Sequence, residues 1–207
     1  MGKLGADSDG VITVTDIVLG NRITTSSTNY DNIVLGLGNF GHSDWNSSLD
    51  GTSNMADNIV IGRNAAKDVE TDTGDTFQKN IVLGKSAMMD CNPKSESASA
   101  NQNVAIGSNA MQNRDSGDNN IAIGKGAMLG EASGTTTTGA NNIAIGTTAL
   151  EEITTGYENI GVGSDALEDV TSGYQNIAIG DEAGQKVDEG IYNIFIGKSS
   201  GGTNASG

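Results

Sequence analysis

One cysteine, one proline, one histidine and one tryptophan occur among 207 residues, and aromatic residues make up only 4% of the chain. The lone Cys91 excludes an intrachain disulfide framework. Scarce rings exclude a core of large aromatic side chains, so whatever packs here packs small aliphatics. Cations are few as well: 11 Lys and Arg stand against 26 Asp and Glu, a formal net charge of -15. Binding a phosphate backbone relies on Lys and Arg displacing condensed counterions, so nucleic acid is set aside as a partner. The same charge disfavours anionic membranes and keeps the chain soluble. No apolar run approaches the ~20 residues that cross a bilayer. Met1 to Gly10 hold no basic-then-apolar leader, so neither membrane insertion nor export on a signal of its own is expected.

What is abundant is glycine, 30 residues without the G-X-Y period of collagen. One pentapeptide, Asn-[Ile/Val]-x-[Ile/Leu/Val]-Gly, recurs nine times, starting at Asn32, Asn58, Asn80, Asn103, Asn120, Asn142, Asn159, Asn176 and Asn193. A degenerate copy, Asp16-Ile17-Val18-Leu19-Gly20, precedes them. The terminal glycines are spaced 16, 26, 22, 23, 17, 22, 17, 17 and 17 residues apart. This is a base period near 17 with loops inserted before Gly146, the signature of a solenoid. The expected fold is all-β, a parallel β-solenoid or β-roll of about ten coils; at the usual strand spacing it forms a rod of roughly 45 to 50 Å.

Strand periodicity places the first and third aliphatics of each pentapeptide on one face, and Ile160 and Val162 are therefore expected inside the coil. The residue between them points the other way and is Val34, Val60, Val82, Ala105, Ala122, Ala144, Gly161, Ala178 or Phe195, never a charge. Both faces thus read as buried. A thin solenoid covers only one face by itself, so the second face implies lateral packing against copies of the chain, most simply as a homotrimer; the alternative is a lone solenoid with a mildly apolar flank. The nine asparagines stack from coil to coil as a structural ladder of side-chain amides rather than as catalytic groups. After each glycine, pairs such as Ala87-Met88, Ala127-Met128 and Ala166-Leu167 suggest a second short strand or a tight corner. Gly117, Gly139, Gly156, Gly173 and Gly190, three residues before the next Asn, suggest turns with positive φ.

The units Asn120-Ile121-Ala122-Ile123-Gly124, Asn142-Ile143-Ala144-Ile145-Gly146 and Asn176-Ile177-Ala178-Ile179-Gly180 resemble the head repeat of trimeric autotransporter adhesins, the YadA-like left-handed parallel β-roll. The longer run from Thr154 to Gly163, Thr-Thr-Gly-Tyr-Glu-Asn-Ile-Gly-Val-Gly, is similar to repeats of bacteriophage tail-fibre proteins. The resemblance spans Asp16 to about Gly197. It implies three β-rolls around a common axis, serving as shaft or adhesive head. The adhesins' export signal, coiled-coil stalk and anchoring barrel are not visible, and their repeat is shorter, about 14 residues, so a virion protein is the better fit.

Chemistry-bearing residues are sparse. The largest insertion, between Gly36 and Asn58, contains Phe40, His42, Asp44 and Trp45, a candidate contact for a receptor or partner; the plainer reading tucks the rings over the solenoid's side. Asp68-Val69-Glu70-Thr71-Asp72-Thr73-Gly74-Asp75 alternates carboxylates but does not match a calcium loop, and a solvated acidic loop accounts for it. Hexapeptide-repeat enzymes share the coil length, yet six residues beyond Val162 lies Glu168 and beyond Ile179 lies Gln185, where inward aliphatics belong. No P-loop occurs, and no nucleophile, base and oxyanion set can be assembled. The expectation is a non-enzymatic protein without metal or cofactor: residues 1–15 as an N-terminal segment, 16–198 as the β-roll, 199–207 as a flexible tail. Its role is that of a virion surface protein, a tail fibre or spike engaged in host attachment. Alternatives are a capsid decoration trimer, a bacterial adhesin head or, least, a β-helix enzyme. Its partners are copies of itself, other virion proteins and a host surface glycan or protein.

Overall fold

The structure, a computed structural model, describes residues 17–20, 32–36, 56–67, 69, 76–91, 99–130 and 137–201. It is an all-β parallel solenoid of about six turns. Each pentapeptide forms one strand: β1 (Ile17–Gly20), β2 (Ile33–Gly36), β3 (Ile59–Ile61), β4 (Ile81–Leu83), β5 (Val104–Ile106), β6 (Ile121–Ile123), β7 (Ile143–Ile145), β8 (Ile160–Val162), β9 (Ile177–Ile179) and β10 (Ile194–Ile196). They make one sheet in sequence order, every pair parallel and in identical register, so that Ile121 lies beside Ile143 and Ile143 beside Ile160. The repeat produces this directly, because equal residues at equal spacing have one register in which every neighbour matches.

The inward and outward positions are the reverse of the sequence expectation. Ile160 and Val162 lie on the outer surface, and the middle residue faces the interior: Val34, Val60, Val82, Ala105, Ala122, Ala144 and Ala178 are at most 2% exposed. The cause is the thinness of the coil. Opposite each strand the chain returns through a turn whose Ala and Met or Leu are also buried, as in Ala87-Met88, Ala110-Met111 and Ala149-Leu150. Little width remains between the walls, and small side chains fill it.

Sizes across this gap are matched. Where the strand carries Phe195, the facing turn positions are Gly184 and Gly201, and an added Cβ at either would meet the Phe195 ring. Where the strand carries Gly161, its near neighbour is the full Leu150 side chain. Close-packed interiors allow such exchanges only when total volume is conserved.

The segment after each glycine is a turn, not a second strand. Its backbone alternates through left-handed conformations at residues that rarely adopt them, including Met88, Met111, Met128, Leu150 and Leu167 at φ between 46° and 53°. Cross-coil bonds hold them there: the Leu150 N–H donates to Ala166 O at 3.0 Å and the Leu167 N–H to Ala183 O at 3.0 Å. Ser199 to Gly201 continue this turn, the Ser199 N–H donating to Asp181 O.

Gly163, at the strand's end, needs to be glycine twice over. Its φ is 142°, and a Cβ there would press into the carbonyl of Gly180 in the next coil. Gly156, three residues before the ladder Asn159, differs from expectation. Like Gly139, Gly173 and Gly190, it is not among the positive-φ residues, whereas Gly117 is, at 118°. It is small because a Cβ would strike Gly173 O and the Asn159 amide.

Candidate assembly interface

The asparagine ladder fixes the corner that aims each strand. Asn159 shows the pattern. Its backbone N–H and its Nδ2 donate to Asn142 Oδ1 at 2.9 and 3.1 Å, and Nδ2 also donates to Gly173 O at 2.8 Å. Its own Oδ1 accepts from the backbone N–H and Nδ2 of Asn176, both at 3.0 Å. Asn58, Asn80, Asn103, Asn120, Asn142 and Asn176 are likewise buried, and the bond from each Nδ2 to the carbonyl three residues before the next asparagine recurs throughout, from Asn58 to Phe77 O through Asn176 to Gly190 O. Only a side chain with both a donor and an acceptor can repeat itself along such a column.

With this corner fixed, the first and third aliphatics of every strand line up on the outer face. From β2 to β10 these two columns contain only Ile, Leu and Val, and none of these side chains is buried. Ile33, Ile61, Ile81, Ile123, Ile145 and Ile179 are between 36% and 44% exposed. On one side runs a column of mostly polar residues, Asp57, Lys79, Gln102, Asn119, Asn141, Glu158 and Gln175; on the other run Arg63, Lys85, Ser108, Lys125, Thr147 and Ser164. An unbroken apolar band between polar margins, the length of the sheet, is far more contiguous than the scattered apolar surface of an ordinary monomer.

Beside the band at its C-terminal end, Tyr157 and Tyr174 stack with ring centroids 4.8 Å apart and planes 4° from parallel, and Tyr192 meets Tyr174 edge-on at 5.5 Å. The Gly-Tyr-x-Asn repeat places the first two rings one coil apart. Polar side chains pair from coil to coil at the 17-residue step: Lys186 pairs with Asp169 at 2.9 Å, and on the margins of the band Lys198 pairs with Asp181 at 2.6 Å and the Gln175 amide donates to Glu158 at 2.7 Å.

One buried residue was not anticipated. Arg114 occupies the interior position, seven residues after its strand's glycine, where other coils place Val69, Cys91, Ile153, Val170 and Val187. Its guanidinium donates to Gly139 O at 2.8 Å and Ile153 O at 3.3 Å, while Nε has no partner among the described residues. Burial pulls it down to about 10, opposed by Cys91 and Asp115, so it stays cationic at neutral pH. The sequence signal was weak, because the same position in the coil after Gly124 is Glu131 and the column is therefore not uniformly apolar.

Phe40, His42, Asp44 and Trp45 lie outside the described residues, as do the carboxylates of the Asp68 to Asp75 stretch; Val69 within that stretch is buried. Among the described residues no group of three or more His, Cys, Asp or Glu is placed to hold a metal ion, and no helix is long and apolar enough to cross a membrane. No protein-family model, curated protein or solved structure matches this chain.

Proposed function

We propose that the chain is a non-enzymatic structural module: a rod of three β-rolls packed through their outer apolar bands, displayed on a virion as part of a tail fibre or spike and acting in attachment to the host. The observation that carries this reading is the band of Ile, Leu and Val on the outer sheet face. Completing the burial of a side chain already about 60% covered yields about 1 kcal/mol. Summed along nine strands, this is on the order of ten kcal/mol per chain, comparable to the 4–15 kcal/mol that association costs in lost freedom. The uniform register favours parallel, in-step neighbours, because only then does each pair of aliphatics meet its equivalent. The resemblance of the Asn-Ile-Ala-Ile-Gly units to adhesin and tail-fibre repeats supports the attachment role.

Two measurements test it. Replacing Ile123 and Ile145 together by lysine, on the outer face only, is expected to reduce the solution mass to one chain while the far-UV spectrum stays β-rich. Antibody against the chain should label intact particles at fibres or spikes, and soluble chain should slow adsorption to host cells. Labelling confined to the capsid, or adsorption unchanged at saturating chain, would contradict the attachment role.

A further inference from the structure

In the coils of β8 and β9 the repeat brings two tyrosines into contact. Tyr157 and Tyr174 each follow a glycine and stand two residues before a ladder asparagine, Asn159 and Asn176. The backbones beside them are held in step: the Gln175 N–H donates to Tyr157 O at 3.1 Å, and the Asn176 N–H donates to Asn159 Oδ1 at 3.0 Å. The coils approach so closely here that a Cβ on Gly156 would lie 2.4 Å from Gly173 O. Equivalent residues on matched backbones carry their side chains alike, and the two rings stack with centroids 4.8 Å apart and planes 4° from parallel. Both are open to solvent, Tyr157 at 42% exposure and Tyr174 partly, whereas Cys91, Met88, Met111 and Met128 are at most 1% exposed. Tyr192 meets Tyr174 differently. It stands one residue before its asparagine, and its ring lies 5.5 Å from that of Tyr174 with the planes at 81°.

The geometry points to Tyr157 and Tyr174 as an oxidative cross-linking site, at which a haem peroxidase supplied with hydrogen peroxide joins the two rings as dityrosine. Each phenol gives up one electron and one proton. The two tyrosyl radicals form a carbon–carbon bond between positions ortho to their hydroxyls, and the hydrogen on each joining carbon moves to the oxygen of its own ring, restoring two phenols. The peroxide takes up the two electrons and two protons, its O–O bond breaks, and it leaves as two waters. A stacked pair of like orientation presents ortho carbon to ortho carbon, whereas an edge-on pair turns the edge of one ring to the face of the other. Holding the rings together also replaces a bimolecular encounter by an intramolecular one, so the stacked neighbour outcompetes a tyrosine of another chain. The new bond spans the 17-residue step between coils and tethers β9 to β8 even where the hydrogen bonds between them open.

The test treats the full chain with a haem peroxidase and hydrogen peroxide, follows dityrosine by its fluorescence, and maps the link by mass spectrometry after cleavage at glutamate, which separates Tyr157 from Tyr174 at Glu158 and Glu168. The main product is expected to be a Tyr157–Tyr174 peptide pair lighter than its two parts by two hydrogens, in a chain that still runs as a single chain on a denaturing gel. Tyr157→Phe or Tyr174→Phe, each keeping a ring in the stack, is expected to lower dityrosine fluorescence at least about tenfold, and Tyr192→Phe by less than about twofold. Far-UV circular dichroism confirms that each variant is folded. A main link to any other tyrosine, or chains joined mainly to one another, would overturn the assignment. So would a loss as large with Tyr192→Phe as with Tyr157→Phe, or no dityrosine where the same enzyme couples free tyrosine.

Discussion

Asn159→Asp is the smallest change that asks whether the ladder holds the stack. The aspartate keeps the acceptor that serves Asn176 but removes both Nδ2 bonds, to Asn142 Oδ1 at 3.1 Å and Gly173 O at 2.8 Å, and turns an oxygen toward those two acceptors at a site with no solvent exposure. An ionised carboxylate is intolerable there, so the group holds its proton and its folded-state pKa rises above the unfolded value of about 3.9. Holding a proton at pH 7 across roughly three pH units costs about 4 kcal/mol, at about 1.4 kcal/mol per unit. The protonated acid donates one bond of the two, and the acceptor left unpaired adds about 1–2 kcal/mol. The expected loss is therefore about 5–6 kcal/mol at pH 7. The sign with pH follows from the raised pKa: the proton-holding cost is absent below the unfolded pKa and grows as pH rises, so near pH 3.5 only about 1–2 kcal/mol should remain. Guanidinium unfolding followed by far-UV circular dichroism, with unmodified chain measured at each pH, reads both values. Asn193→Asp is the control, since among the described residues its Nδ2 bonds only Asn176; about 2 kcal/mol is expected at pH 7. A loss at Asn159 below about 1 kcal/mol, or one independent of pH, would refute the reasoning.

Gly163→Ala should cost about 3 kcal/mol or more, from positive-φ strain and contact with the Gly180 carbonyl, whereas Gly197→Ala carries the strain alone; thermal midpoints of the two variants compare them. Glu151 is held above the usual carboxylate range by burial first and then by Glu168, Glu152 and Asp165. Its ionised form is thus disfavoured in the fold, the penalty being absent below the unfolded pKa and growing as pH rises, so Glu151→Gln should raise stability at pH 7 and leave it unchanged below about pH 4. Melting both chains across that range reads the difference, which added salt should shrink. Burial pushes the Cys91 thiol up to about 12, partly offset by Arg114, so a thiol-specific reagent should label it only on unfolding; rapid labelling of native chain would contradict its placement.

The pentapeptides alone located the strands and the ladder column, because a repeat of fixed length admits one register. The facing of the strands was misjudged for a physical reason. Bulky aliphatics are normally interior, yet here the turn fills the interior with Met88, Met111, Met128, Leu150 and Leu167, and the facing strands can spare room only for Gly, Ala or Val. The reciprocal sizes of Phe195 with Gly184 and Gly201 carried that information, but only once the opposing positions were known. The alternating left-handed turn was not legible, since Met, Leu, Thr and Glu have no intrinsic preference for it and are held by bonds between coils. Arg114 was illegible for a similar reason: its partners are backbone carbonyls 25 and 39 residues away.

The central claim is that the outer aliphatic band is covered by other copies of the chain. Light scattering of the purified chain, before and after heating, tests it most directly: a heat-resistant particle of about three chain masses is predicted, and a single chain mass across the accessible concentration range would contradict it.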